Sequence, residues 1–307
     1  DQYLVDNIPI VVTSFIKKDC RIRMESFTSK NKKEEIVHNK IYVENLESTA
    51  KNISIFVSIR PYNPEGISIT NSIKYKKENN LNYFLVNSNL GMVLMEKPNR
   101  VYCSNLAGSD AFFKIRTDQI STSSKCNAGL TTAIAQYKTR LNSSEGFELE
   151  VRALNSPKKS SPTLVKEIHT GDYLKIRSDC IKGWNKKINQ GFKIKIPYQK
   201  LENAFYSNKS YLLLFYDVDS IKPGPFTYHQ QWFRDMAFMV TALDKLGYTK
   251  EAKNVLKHCP KHQKKDGYFY SQQGEWDAPG EVIWSCIEHY KYSNDHTFLK
   301  SIYPYLK

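Results

Sequence analysis

The sequence predicts a two-part fold, an N-terminal antiparallel β-sandwich followed by helical hairpins. Three observations carry that prediction. From Ile8 to about Pro197 the apolar residues fall in short, mostly alternating runs rich in β-branched and aromatic types, the pattern of strands with one buried face. Beyond that stretch the period changes from two to about 3.6 residues, with the breaker Lys222-Pro223-Gly224-Pro225 between the two regimes. The length of 307 residues exceeds the usual single-domain size, so two domains are the expectation. The expected partition is residues 1–197 for the sandwich, 198–224 for a linker and 225–307 for the helical part.

Taken in order, strands are expected over 10–16, 41–43, 53–59, 67–75, 83–86, 92–95, 111–115, 147–151, 173–176 and 192–196. Turn signals lie between them at Asn63-Pro64-Glu65-Gly66, Asn87-Ser88-Asn89, Gly108-Ser109-Asp110 and Asn142-Ser143-Ser144-Glu145-Gly146. The run at 53–59 leaves the sheet at Pro61, which cannot donate to a ladder. Residues 198–206 are weakly helical. Helices are then expected over 231–246, stopped by Gly247, from Thr249 to the stop at Pro260, over 279–292 opened by Pro279, and over 296–303 ahead of Pro304.

Composition narrows the function classes. The formal charge of +14 is mostly Lys in scattered groups such as Lys17-Lys18, Lys30 to Lys33, Lys74 to Lys77, Lys186-Lys187 and Lys264-Lys265. No groove-reading motif accompanies them, which argues against nucleic acid as a partner. No apolar run approaches the ~20 residues that cross a bilayer, so no membrane anchor is expected. The chain starts at Asp1 without a signal-peptide pattern, and a cytoplasmic location is favoured over secretion. Glycosylation-type triplets at Asn52, Asn142 and Asn208 are what an Asn-rich and Ser-rich chain yields by chance. The six cysteines form no CxxC pair and read as buried thiols. No metal and no cofactor is expected.

Helices joined by short turns are antiparallel neighbours, so the helices opening near 231 and 279 should be parallel, with their N-termini on one rim. Their starts are about 48 residues apart, the length of a helical-hairpin repeat. That rim carries Tyr228, Trp232-Phe233-Arg234-Asp235 and Gly274-Glu275-Trp276-Asp277-Ala278-Pro279-Gly280, with Asp266-Gly267-Tyr268-Phe269-Tyr270 between them. Such a place suits a polar ligand, because charged and aromatic groups meet helix N-termini there.

These motifs, together with Arg60-Pro61-Tyr62-Asn63-Pro64-Glu65-Gly66 in the sandwich, resemble the six-hairpin glycosidases, especially the glucoamylase-like branch, glycoside hydrolase family 15. The resemblance implies an N-terminal β-sandwich followed by the first two hairpins of an incomplete (α/α)6 barrel, the rest of which is expected from the same parent chain. It implies an oligosaccharide or α-glucoside substrate and hydrolysis by inversion. It carries over to Arg234 and Asp235 the role of holding hydroxyls of the terminal sugar, and to Trp276 that of covering a sugar face. Asp277 and Tyr228 are further candidates on the same rim. In the resembling enzymes the general acid and base stand on later hairpins, so the catalytic residues are unknown here and this chain alone is expected to be inactive.

Plainer readings stand beside these. An Arg-Asp pair at a helix start is commonly structural, with the Asp favoured by the helix dipole. Trp232 and Trp284 read as packing residues. A non-catalytic carbohydrate-binding or assembly protein of the same fold, or a glycoside phosphorylase, would show the same pattern.

Overall fold

The computed structural model describes residues 1–31, 34–225 and 227–307. Lys32 and Lys33, from one of the Lys groups, and Phe226, in the loop before the first rim motif, lie outside the described residues. The strands are β1 Gln2–Leu4, β2 Val11–Lys17, β3 Cys20–Asn31, β4 Glu34–Asn45, β5 Lys51–Ile59, β6 Tyr62–Asn63, β7 Gly66–Ile67, β8 Ser72–Glu78, β9 Leu81–Val86, β10 Asn89–Leu94 and β11 Arg100–Ser104. After helix α1, Ala111–Thr117, come β12 Ser123–Lys125, β13 Thr132–Leu141 and β14 Gly146–Leu154. The rest is helical: α2 Pro162–His169, α3 Tyr173–Ile188, α4 Gln199–Leu214, α5 Phe233–Lys245, α6 Thr249–His258, α7 Ala278–Ser293 and α8 His296–Leu306.

Among the described residues the strands form a nine-stranded antiparallel sheet in the order β1-β2-β3-β4-β14-β10-β9-β8-β12, a three-stranded sheet β11-β13-β5 and the small β6-β7 pair. Tight hairpins set the register. Lys18 and Asp19, Asn79 and Asn80, and Asn87 and Ser88 all have positive φ, as two-residue hairpin turns of the I′ kind require. Neighbouring residues then part to opposite faces of the large sheet. Phe84 and Leu94 pack towards the small sheet, in one core with Val101, Cys103, Ala133 and Ala135. Tyr83 and Val93, each one residue earlier, pack instead with Val165 and Ile168 of α2 on the outer face. The outcome is the expected antiparallel sandwich, with a helix on its back.

Polar groups complete that back. Arg152, fully buried, donates to Glu150 at 2.6 Å, to the carbonyls of Ile168 and Thr170 at 2.9 Å and to that of Gly171 at 3.0 Å, so every direction of its fork finds an acceptor. Glu25 on β3 accepts from Tyr173 and Arg177 of α3, each at 2.6 Å. Burial pushes its carboxyl up, but those two hydrogen bonds together with the charges of Arg177 and Arg23 outweigh the burial and hold it below the usual range.

The structure corrects several local expectations. Residues 111–115 are helical because Asp110 caps them, accepting from Phe112 N–H at 2.8 Å while Arg60 grips both its oxygens at 3.0 Å. Residues 173–176 open α3 in the same way, with Asp172 accepting from Lys175 N–H at 2.7 Å. The segment 192–196 pairs with no strand. Its polar groups are met by the helical part instead: Phe192 N–H donates to Leu246 O at 2.7 Å, Lys209 donates to Phe192 O at 2.6 Å and Tyr206 donates to Ile194 O at 2.9 Å. The run at 67–75 divides into β7 and β8, while β3, β11, β13 and α2 had no counterpart among the expected elements. Cys103, Cys259 and Cys286 are buried, whereas Cys20, Cys126 and Cys180 are only partly so.

The chain forms two compact units, Asp1–Val5 with Ile10–Cys180, and Asp6–Pro9 with Ile181–Lys307. The division falls inside α3, and α4 occupies much of the segment expected as linker. In the second unit Asn7 is held on α4, its carbonyl accepting from Ser210 at 2.6 Å and its side-chain oxygen from Ser207 at 3.0 Å. Four helices enclose one apolar core, to which α5 gives Phe233, Met236, Ala237, Val240 and Leu243, α6 Val255 and Leu256, α7 Val282 and Cys286, and α8 Phe298 and Ile302. Gly247, at φ 84°, ends α5 as expected: its N–H donates to Asp244 O at 2.9 Å while Tyr248 N–H donates to Leu243 O at 2.8 Å. α8 continues through Pro304 to Leu306. The proline lies so near the C-terminal end that its missing N–H removes a single bond of the last turn.

Candidate functional site

The site starts from the run of α5 beside α7. Three contacts advance together along both helices: Arg234 to Asp277 at their starts, Phe238 to Trp284 in the middle, and Asp244 to His289 near their ends. The helices are therefore parallel, and the N-termini of both meet on one rim.

Helix N-termini leave backbone N–H groups without intrahelical partners. Trp232, the residue before α5, has no capping side chain. The acceptor arrives from 41 residues away in the chain, since Glu275 Oε1 takes the Arg234 N–H at 3.2 Å. Glu275 is buried, accepts from the Ser271 hydroxyl with its other oxygen, and has its backbone carbonyl held by Tyr268 at 2.8 Å. A carboxylate at this end of a helix is also favoured by the helix dipole. The loop behind it is pinned by Phe269, buried edge-on against Phe233, with ring centroids 6.0 Å apart. Lys264 lies 3.8 Å above the Tyr270 ring, a cation over an aromatic face.

On this frame the Arg234 guanidinium donates to Asp277 Oδ2 at 3.2 Å, joining the two helix starts through side chains that stay about half exposed. A guanidinium carries five N–H donors, so this one bond leaves the half-exposed group capable of further hydrogen bonds. Beside the pair opens a cleft of about 550 Å³ lined by Phe238, Trp276, Asp277, Pro279, Gly280, Glu281 and Trp284. Trp276 is 78% exposed, an unusual position for so large an apolar side chain. Glu281 faces the same space. Burial pushes its carboxyl up and the neighbouring Asp277 adds to that, against an opposing pull from Arg234.

Trp276 and Asp277 are thus brought together in the cleft lining, and Arg234, not itself among the lining residues, is tied to them through Asp277. Asp235 sits half-buried in the first turn of α5 and is not among the residues lining the cleft. Tyr228, exposed and at φ 58°, lies outside the cleft too, its ring tilted against Trp232 at 6.1 Å. Trp284, read from sequence as packing, lines the cleft and is 38% exposed. Its position four residues after Gly280 and three after Glu281, within α7, is the signal that places it on the same side. Phe238 and Glu281 were not singled out as site residues; both follow from helical spacing after Arg234 and Asp277, four residues on in each case. Buried polar atoms without a protein partner gather at this end of the helices as well, namely Gln231 Oε1, Trp232 Nε1 and Gln272 Nε2. Among the described residues no three His, Cys, Asp or Glu side chains group to hold a metal ion, and no helix is long and apolar enough to cross a membrane.

The sequence matches no protein-family model and finds no match among curated proteins. The three-dimensional structure does find relatives. A bacterial glucoamylase complexed with acarbose superposes with a TM-score of 0.73 at 16% identity, over 99% of this chain and 48% of that one. A protein described as a kojibiose phosphorylase from the human microbiome follows with a TM-score of 0.57 at 10% identity, over 97% of this chain and 43% of that one. The chain thus spans about half the length of the glucoamylase it resembles, and at these identities the likeness establishes the fold alone. That fold is the glucoamylase-like six-hairpin glycosidase fold, an N-terminal β-sandwich followed by helical hairpins of the (α/α)6 type.

Proposed function

We propose that this chain supplies the sugar-holding part of a glucoamylase-like glycoside hydrolase that acts on α-linked glucosides with inversion. The observation that carries the reading is the Arg234–Asp277 pair joining two parallel helix starts beside an exposed Trp276. Arg234, oriented by Asp277, offers fixed donors to sugar hydroxyls, and charge-assisted hydrogen bonds of this kind fix both position and direction. Asp235 accepts from further hydroxyls. Trp276 covers the apolar face of a ring, and Tyr228 borders the approach. The unpartnered Trp232 Nε1 and Gln272 Nε2 support a polar ligand at this rim, because buried donors ordinarily find an acceptor.

Inverting hydrolysis needs two carboxyl groups roughly 6.5–9.5 Å apart on either side of one bond. Neither is assigned within residues 1–307, and in this reading the remaining hairpins of the parent protein provide them. The sandwich unit, ending at Cys180, and the helical unit from Ile181 to Lys307 then correspond to the front of that enzyme. The experiment is to incubate the intact natural protein with α-linked gluco-oligosaccharides and follow the released sugar by proton NMR. Release of the β-anomer, lost in Arg234→Ala, is the expected result; no release from any α-glucoside, or release of the α-anomer, would overturn the proposal. The kojibiose phosphorylase with the same layout favours one rival reading. Sugar release that requires inorganic phosphate would decide for it, and saccharide binding without turnover would mark a binding protein.

A further inference from the structure

The edges of the two sheets are finished differently. The nine-stranded sheet ends in β1 and β12, each three residues long, which is the usual way of blunting an edge. The three-stranded sheet ends in β5, nine residues long, paired with β13 along one side and, among the described residues, with no strand along the other. Its inward residues Ile53, Ile55, Val57 and Ile59 are only partly buried. It carries no proline, and its inward charge, Lys51 at the first position of the strand, lines the groove along this edge and donates to Glu47 Oε1 at 2.7 Å.

The large sheet continues past that edge. β4 lies beneath β5, Ile41 packing in the same core as Ile55 and Val57, but β3 and β2 extend beyond with their inner faces uncovered. Register pairs Phe15 with Ile22 and Ile22 with Val43, then Thr13 with Met24 and Met24 with Ile41, so these side chains form one continuous floor. Phe15 is 42% exposed and Met24 37%. A groove of about 470 Å³ runs along the free edge, floored by Ile22 and Met24, walled by Ile53 and Ile55, and closed at one end by Lys17 and Lys18.

We infer that this groove takes an extended acidic peptide segment that adds a fourth strand to β5. A strand set beside β5 lies about 5 Å further along the sheet and about 10 Å above β3, the spacings of neighbouring strands and of stacked sheets. Its backbone bonds the open edge, its alternate apolar side chains cover Ile22, Met24 and Phe15, and its acidic residues meet Lys17 and Lys18. A second copy of this chain is excluded by shape. Antiparallel pairing of one β5 with another has its two-fold axis perpendicular to the sheet, which brings both large sheets to the same side, and the strands β1–β3 that project past the edge would occupy the same space.

The probe is an end-blocked, fluorescently labelled nine-residue peptide alternating Val with Glu, compared with the same peptide carrying Lys for Glu. Anisotropy gives affinity, and amide hydrogen exchange of the protein gives location. The Val/Glu peptide binds, slows exchange along Lys51–Ile59, and outcompetes the Val/Lys peptide. Met24→Glu weakens it roughly tenfold, through lost apolar burial and added repulsion. The double variant Lys17→Glu, Lys18→Glu, at the exposed last residue of β2 and in the turn that follows it, reverses the preference towards the Val/Lys peptide. Absence of binding, equal binding of both peptides, protection elsewhere than β5, or self-association that protects β5 in place of the peptide would each overturn the inference.

Discussion

The two ends of the α5–α7 pair are joined by the same chemistry in opposite surroundings. At the N-terminal end Arg234 and Asp277 meet with side chains about half exposed, while towards the C-terminal end Asp244 and His289 meet completely buried. His289 Nδ1 lies 3.0 Å from both carboxylate oxygens of Asp244, and its ring stands edge-on to Phe298 at 4.7 Å. Burial pushes the Asp244 carboxyl above its usual range, and the hydrogen bond from His289 only partly offsets this. An exposed pair contributes little to stability, so its groups are available to a ligand; a buried pair cannot lose one member without leaving the other uncompensated. One end of the helix pair is therefore held by a buried pair, and the other carries a pair open to solvent.

The largest effect is expected from breaking the buried pair. Asp244→Ala should lower stability by about 3–5 kcal/mol, read from urea unfolding, because His289 is then left in the core without its partner. Asp277→Asn at the other end should change stability by no more than about 1 kcal/mol. Its effect belongs to binding instead: with Arg234 no longer oriented by a charge, affinity for a saccharide should fall roughly tenfold, the usual scale of a charge-assisted hydrogen bond.

Two smaller changes sharpen the contrast. A Cβ at Gly280 would meet no atom within 4 Å, so Gly280→Ala should stabilise α7 by roughly 0.5–1 kcal/mol through a stiffer unfolded chain while placing a methyl at the cleft. Glu281 supplies the pH arm. Because burial and Asp277 raise its pKa in the folded protein, its contribution is most favourable below the ordinary carboxylate range and becomes a cost as pH rises through the folded value. Glu281→Gln should remove that decline, seen as a flatter profile of unfolding midpoint against pH.

What the sequence disclosed follows from how local each signal is. The change of period, the stop at Gly247 and the parallel helix starts were legible because each rests on neighbouring residues. Short apolar runs were misread where an aspartate one residue upstream decided the matter, as Asp110 does for α1 and Asp172 for α3. In these places a cap outweighs a β-rich composition. Glu275 was visible near the rim, but its service to the N-terminus of α5 depends on a partner 41 residues away. The pairing of Asp244 with His289 likewise has no local trace, since neither residue differs in its neighbourhood from a surface acid or a surface imidazole.

If the exposed end holds the sugar, as proposed, one titration tests it directly. Acarbose, the ligand of the glucoamylase with the same fold, would be titrated calorimetrically into the intact natural protein, its Asp277→Asn variant and its Trp276→Ala variant, with the unfolding midpoint of each measured alongside. The natural protein should bind saturably and both variants roughly tenfold or more weakly, at nearly unchanged midpoints. Equal affinity in all three proteins, or no binding by any of them, would contradict the proposal.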